Sequence, residues 1–164
     1  MTNYHPTVDK IKDILVEKKF WFETFEHVPV TTSEEAARQR PEYQLKQGVK
    51  ALIVKAKMPD KSKKFIMVCV SGDKKFDSKK LKNVFSIVDT RLATEMEISE
   101  ITQGVQRGGV PPFGNIFNLP IYADFNIFEN EKIIFNAGDR SYSIGMFSKD
   151  YKEIVNSQIG DISQ

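Results

Sequence analysis

The chain has 164 residues, 28% charged and 40% hydrophobic, a balance that excludes a disordered or fibrous protein and fits one soluble globular domain, residues 1–164. No apolar run reaches the roughly 18 residues of a membrane span, no basic-then-apolar leader opens the chain, and the lone cysteine, Cys69, excludes an internal disulfide. A cytoplasmic protein is the expectation. Net charge is only +2, yet ten lysines between Lys55 and Lys82 face only Asp60, Asp73 and Asp77, so this window carries +7 and the remainder −5.

In chain order, Val8, Ile11, Ile14 and Leu15 recur at helical spacing and predict a helix over Val8–Lys18. Phe20–Phe25 is aromatic-rich and reads as extended. Thr32-Ser-Glu-Glu35 is a capping-box pattern that opens a helix through Ala36 and Ala37. Val49–Ala56 and Phe65–Ser71 read as strands, joined across the turn Met58–Lys64 as a hairpin. Asp77 or Ser78 can cap the short helix SKKLKNVF. A second capping box, Thr94-Glu-Met-Glu97, starts a helix through Ile101. An irregular stretch, Gly104–Asn115, follows, then a short strand at Pro120–Asp124. Two further strands, Lys132–Asn136 and Ser141–Phe147, are expected to meet across a turn at Asn136-Ala-Gly-Asp139, and Ser148 is expected to cap a last helix. Strands outnumber long helices and are interrupted by them, which predicts an α+β, mixed architecture.

Few residues offer chemistry. The two histidines, His5 and His27, and one cysteine supply no zinc ligand set. No nucleophile elbow or phosphate-binding loop is present. Cys69, inside the apolar run FIMVCV, reads as a small buried hydrophobe. His27 reads as structural or as standing at the edge of a site. The segment GGVPPFG, Gly108–Gly114, is the most informative. Its glycines let the backbone approach a ligand and its prolines stiffen the chain, so it serves either as a rigid connector or as a cradle of backbone N–H and C=O groups. Lys50 shares a strand face with Leu52 and Val54. A lysine on an apolar face either snorkels or meets a ligand. Asp139, the last residue of the expected turn, and Arg140 after it could pair or touch a ligand. The lysine-rich window is a solvated face or a polyanion-binding surface.

The ordered pieces EHVPVTTSEEAA, GVKALIVKAK, FIMVCVSGDKKFDSKKL, GGVPPFG and FNAGDRSYSIGM resemble, in register, the YbaK/EbsC-type aminoacyl-tRNA deacylases, which share their domain with the editing insertion of bacterial prolyl-tRNA synthetases. The resemblance runs from about residue 7 to about residue 155. It implies a curved, mostly antiparallel mixed sheet flanked by helices. It implies hydrolysis of the ester between an amino acid and the terminal adenosine of a tRNA, proline tRNA carrying cysteine or alanine being the usual target, without metal or cofactor. Lys50, Gly108 and Pro112 then take the catalytic positions. Thr31, Thr32, Gly109, Val110, Asn136, Ala137, Gly138 and Asp139 would hold the aminoacyl end. Asp139 stands where some relatives carry a histidine or a basic run. Lys63, Lys64, Lys74 and Lys75 would meet acceptor-stem phosphates, and prolyl-tRNA synthetase is an expected partner. A non-catalytic tRNA-binding or synthetase-associated module, an editing domain cut from a larger synthetase, and a small-ester hydrolase are the competing readings.

Overall fold

A strand that is apolar at every position must be covered on both faces, and the run from Phe65 to Val70 meets that requirement at the centre of the molecule. The computed structural model describes residues 3–164. Along these run α1 (Thr7–Glu17), β1 (Phe22–Glu26), α2 (Ser33–Gln39), β2 (Val49–Lys57), β3 (Lys63–Ser71), α3 (Ser78–Phe85), β4 (Asp89–Leu92), α4 (Glu95–Thr102), β5 (Ile121–Asp124), β6 (Lys132–Asp139), β7 (Tyr142–Phe147), α5 (Ser148–Val155) and β8 (Gln158–Gly160). Short 3-10 turns lie at Leu45–Gln47, Gly114–Phe117 and Phe125–Glu129. The fold is α+β, with helices around mixed sheets. Among the described residues no helix is long and apolar enough to cross a membrane.

The strands form two sheets where one curved sheet is expected. One has the order β1-β7-β6 and is antiparallel throughout. The other has the order β4-β2-β3-β5-β8, antiparallel from β4 to β3 and parallel from β3 to β8. A parallel bridge, Gly48 to Ile134, joins the two. The larger core fills the space between the sheets, where Val49, Ile53, Met67 and Cys69 meet Phe113, Phe135, Ile144 and the α1 stripe Val8, Ile11, Leu15. The opposite face of the five-stranded sheet carries Val54, Ile66, Val68 and Val70, covered by Leu81 of α3 and by Ile162. Each such side chain contributes about 1.5–3 kcal/mol by leaving water, and β3 contributes from both faces.

Local signals set most helix starts. Thr32 accepts a hydrogen bond from the Glu35 N–H at 3.1 Å, and the Glu35 carboxylate accepts from the Thr31 N–H, one residue earlier than a regular capping box would place it. Asp77 caps α3, accepting from the N–H groups of Lys79 and Lys80. The Thr94–Glu97 box is complete in both directions.

Two local expectations need correction, and two strands were not foreseen. Asn136–Asp139 is not a turn: β6 continues through it, with a bulge that sets Ala137 and Gly138 aside, and the turn is Arg140–Ser141. The same Asn-Gly-Asp chemistry that makes turns also makes bulges, and Gly138 adopts φ +111° there. Ser148 is the first helical residue of α5, not its cap; its hydroxyl donates to the Asn130 carbonyl. Strands β4 and β8, the two edges of the larger sheet, have no counterpart among the expected elements.

Candidate functional site

Five segments converge on one cavity of about 570 Å³, a size suited to a small organic ligand. They are α2 with the turn after it, the start of β2, the end of β4 with the start of α4, the middle of β6, and the loop around Gly108. The walls mix apolar residues such as Ala36, Leu45, Ile53, Val110 and Phe135 with charged ones. Of the residues singled out in the sequence, Thr31, Thr32, Lys50, Gly108, Val110, Asn136 and Arg140 line it.

Lys50 stands near the start of β2, paired in register with Val70. Its parity puts it on the face of Leu52 and Val54, half-buried where that face reaches the cavity. Burial lowers its pKa; Glu34 and Asp73 pull it back up, and Lys75 adds to the lowering. Among the described residues its ammonium takes part in neither ion pair, and it makes no side-chain hydrogen bond. A charged donor therefore faces the cavity uncommitted.

The Gly108 loop is held by a chain of hydrogen bonds that begins inside the protein. Arg40, buried at the C-terminus of α2, donates from Nη1 to the Ser143 hydroxyl at 3.0 Å. Ser143 donates to Asn136 Oδ1 at 3.2 Å, and Asn136 Nδ2 donates to the Gly108 carbonyl at 2.7 Å. Gly108 has φ +89° and packs against Thr31, so a side chain there would be strained. The next N–H, that of Gly109, is tied to Gln106 O at 2.9 Å. Among the described residues the Gly108 N–H has no backbone acceptor, and the residue is exposed. His27 buttresses this chain from outside the cavity, with Nε2 2.7 Å from Ser143 Oγ and Nδ1 2.8 Å from Val28 O.

The remaining positions are not among the residues that line the cavity. Pro112 is buried away from the cavity, and its carbonyl accepts from the Tyr151 hydroxyl at 2.6 Å, anchoring the loop's far end. Gly109 is buried against Arg140. Ala137 is fully buried, and a Cβ on Gly138 would lie 2.6 Å from Thr7 Cβ, so this bulge is the seat of α1. Asp139 accepts from the Ser141 N–H at 2.9 Å and shapes the Arg140–Ser141 turn. Cys69 is sealed in the core, and burial pushes its thiol up to about 12, which suits packing and not nucleophilic attack. Among the described residues no three His, Cys, Asp or Glu side chains cluster as a metal group would.

The four lysines do not form one patch. Lys63 and Lys64 begin β3, whereas Lys74 and Lys75 follow its end. The turn bearing Lys74 and Lys75 sits at the cavity end, where the Gly72 N–H donates to Gly48 O at 2.7 Å. Sequence reading missed Arg40 and Ser143. The only trace of Arg40 is its helical spacing from Ala36, whose carbonyl accepts from its Nε. Ser143 is a small polar residue at a buried position of an apolar strand, a pattern that marks an internal hydrogen bond.

A family model described as the aminoacyl-tRNA editing domain matches residues 27–154. A proline–tRNA ligase from Sulfurihydrogenibium sp. is 39% identical over 94 residues, which are 57% of this chain and 15% of that ligase. The uncharacterized protein YwhH of Bacillus subtilis is 29% identical over 57% of this chain and 59% of its own length. The chain thus spans only a small part of the ligases it matches. A crystal structure of a proposed trans-editing enzyme for prolyl-tRNA synthetase superposes with TM-score 0.81 at 23% identity, covering 99% of both chains, a likeness of fold.

Proposed function

The chain belongs to the aminoacyl-tRNA editing domain family, and from that premise we propose that it is a deacylase, a hydrolase that cleaves a wrong amino acid from the terminal adenosine of its tRNA. Proline tRNA carrying cysteine or alanine is the expected substrate, and prolyl-tRNA synthetase the expected working partner; the matches among proline–tRNA ligases support both. One observation carries the reading: the uncommitted, half-buried ammonium of Lys50 shares a cavity with a glycine loop whose N–H has no backbone acceptor.

The ester is already activated, so hydrolysis needs placement of water and stabilisation of the charge that develops on the carbonyl oxygen. Lys50 orients the aminoacyl-adenosine end. The Gly108 N–H points its dipole at the carbonyl, and the tie from Asn136 to the Gly108 carbonyl fixes the adjoining Gly108–Gly109 peptide and so anchors the loop that carries the donor. A single fixed donor of this kind is worth about 3 kcal/mol of barrier, or roughly a hundredfold in rate. Pro111 and Pro112 stiffen the loop so that its geometry is set before the substrate arrives. The substrate's own ribose hydroxyl helps to place the water, so no protein side chain has to attack.

A panel of mischarged tRNAs tests this. Release of amino acid from at least one tRNA is expected, with Lys50→Ala at least tenfold slower while the fold is retained. Unchanged turnover in Lys50→Ala removes the lysine from the mechanism. Retained tRNA binding with no release from any tRNA would make the chain a binding module.

A further inference from the structure

The mechanism above leaves one buried charge unused. Arg40 is only 5% exposed, yet it takes part in neither ion pair found among the described residues. A guanidinium carries five N–H donors. Two are committed, Nε to the Ala36 carbonyl at 3.1 Å and Nη1 to Ser143 Oγ at 3.0 Å, and both acceptors are neutral. Among the described residues the other terminal nitrogen, Nη2, has no acceptor, and it is not among the polar atoms sealed from all access. Arg40 is one of the residues that line the cavity. The two carboxylates on the cavity wall, Glu34 and Glu95, do not reach it.

A buried cation without a counter-charge is costly to fold around. Burial pulls the Arg40 pKa down to about 10, which still leaves it charged at neutral pH. The wall as a whole is cationic: Lys50, Arg40, Arg107 and Arg140 outnumber Glu34 and Glu95. Such a wall favours an anion, and a planar guanidinium with adjacent donors matches an oxyanion best.

We propose that Arg40 is an oxyanion-binding residue inside the cavity, taking either the carboxylate that ester hydrolysis liberates or the phosphate of the terminal nucleotide. The identity of these natural ligands rests on the deacylase reading; the site itself does not. Hydrolysis adds water across the ester, leaving a carboxylate, a ribose hydroxyl and one released proton, so negative charge appears where none stood on the aminoacyl group. Through Ser143 and Asn136 the same guanidinium also touches the loop proposed to hold that group.

The test uses the whole chain, isotope-labelled for NMR, titrated with L-alanine against L-alaninamide and with AMP against adenosine. Within each pair the probes differ in the oxyanion. The expected result is that at least one anionic probe binds at least tenfold tighter than its neutral analogue and shifts the Arg40 Nε–H resonance. Arg40→Gln should erase that preference. Preference for alanine assigns the carboxylate, and preference for AMP assigns the phosphate. If neither anion out-binds its analogue, or Arg40→Gln keeps the preference, the proposal is overturned. Should Arg40→Gln fail to fold, the wild-type Arg40 resonance decides: a shift with the anion alone supports the site, and no shift rejects it. No deacylation is read, so this result and that of the mischarged-tRNA panel stand or fall separately.

Discussion

Lys50 is held at a cost. Burial is the largest influence on it and lowers its pKa, and Glu34 and Asp73 only partly offset this. In the alkaline range between its lowered value and the ordinary lysine value, the folded protein binds fewer protons than the unfolded chain. Stability attributable to this residue therefore rises with pH through that window, and the penalty is complete below it. Lys50→Met keeps the aliphatic stem and removes the charge. The variant is expected to melt no lower than wild type at neutral pH, to show a flatter rise in stability on going alkaline, and to lose deacylation at least tenfold. Thermal melts at several pH values, read beside turnover, check this. A variant that melts well below wild type at neutral pH would mean that the ammonium stabilises the fold, contrary to the reading of a charge kept for a ligand. Arg40 poses the same question more sharply, because it is buried more deeply and satisfied only by neutral acceptors.

Helix α4 shows how an element's end can be set by four residues. Thr94 accepts from the Glu97 N–H at 3.1 Å, and Glu97 accepts from the Thr94 N–H at 2.9 Å while also pairing with Arg91 at 2.8 Å. The cap matters beyond the helix, because Ala93 and Ile98 on either side of it line the cavity. Thr94→Ala is expected to cost about 1 kcal/mol, measurable by denaturant unfolding; a loss near zero would mean that tertiary packing alone fixes the helix start. The pairing with Arg91, followed by the Thr94 N–H, holds the Glu97 carboxyl down at about 2. A depressed acid stabilises the fold above its unfolded pKa and ceases to do so as pH falls through its folded one. The contribution of Glu97 is therefore intact above roughly pH 4.5 and fades toward pH 2. Glu97→Gln should flatten the acid limb of stability in that interval and leave the alkaline limb unchanged. These caps were readable in the sequence because a capping box is local chemistry. The edge strands β4 and β8 were not, since Asp89–Leu92 and Gln158–Gly160 carry too few residues for a period to appear and exist through pairing with β2 and β5.

Across the whole molecule, what the sequence disclosed was what neighbours in the chain decide. The apolar run of β3 required cover on both faces, and Lys50 on an apolar strand face stood out against its surroundings. Arg40 did not stand out, because only the folded chain buries it and brings its guanidinium to Ser143, 103 residues away in sequence. The lysine window was legible as composition, but its arrangement in space was not, because β3 separates its members. From Lys63 to Ser71 the strand rises roughly 3.3 Å per residue, about 26 Å in all, so Lys63 and Lys64 stand at the far end from the turn of Lys74 and Lys75. Lys75 is close enough to Lys50 to influence its protonation, and that turn adjoins Gly48 on the cavity wall. On the proposed deacylase reading, an acceptor end entering the cavity would bring its last phosphates past Lys74 and Lys75 first. Neutralising those two together is expected to weaken tRNA binding several-fold and to reduce the slope of log affinity against log salt by about 0.7–0.9 for each phosphate that no longer meets a lysine. Neutralising Lys63 and Lys64 together should change affinity and slope less. Binding isotherms over a salt series decide the point: equal losses from both pairs would require the RNA to lie along the full length of β3, and no change from either would leave the lysines as solvated surface.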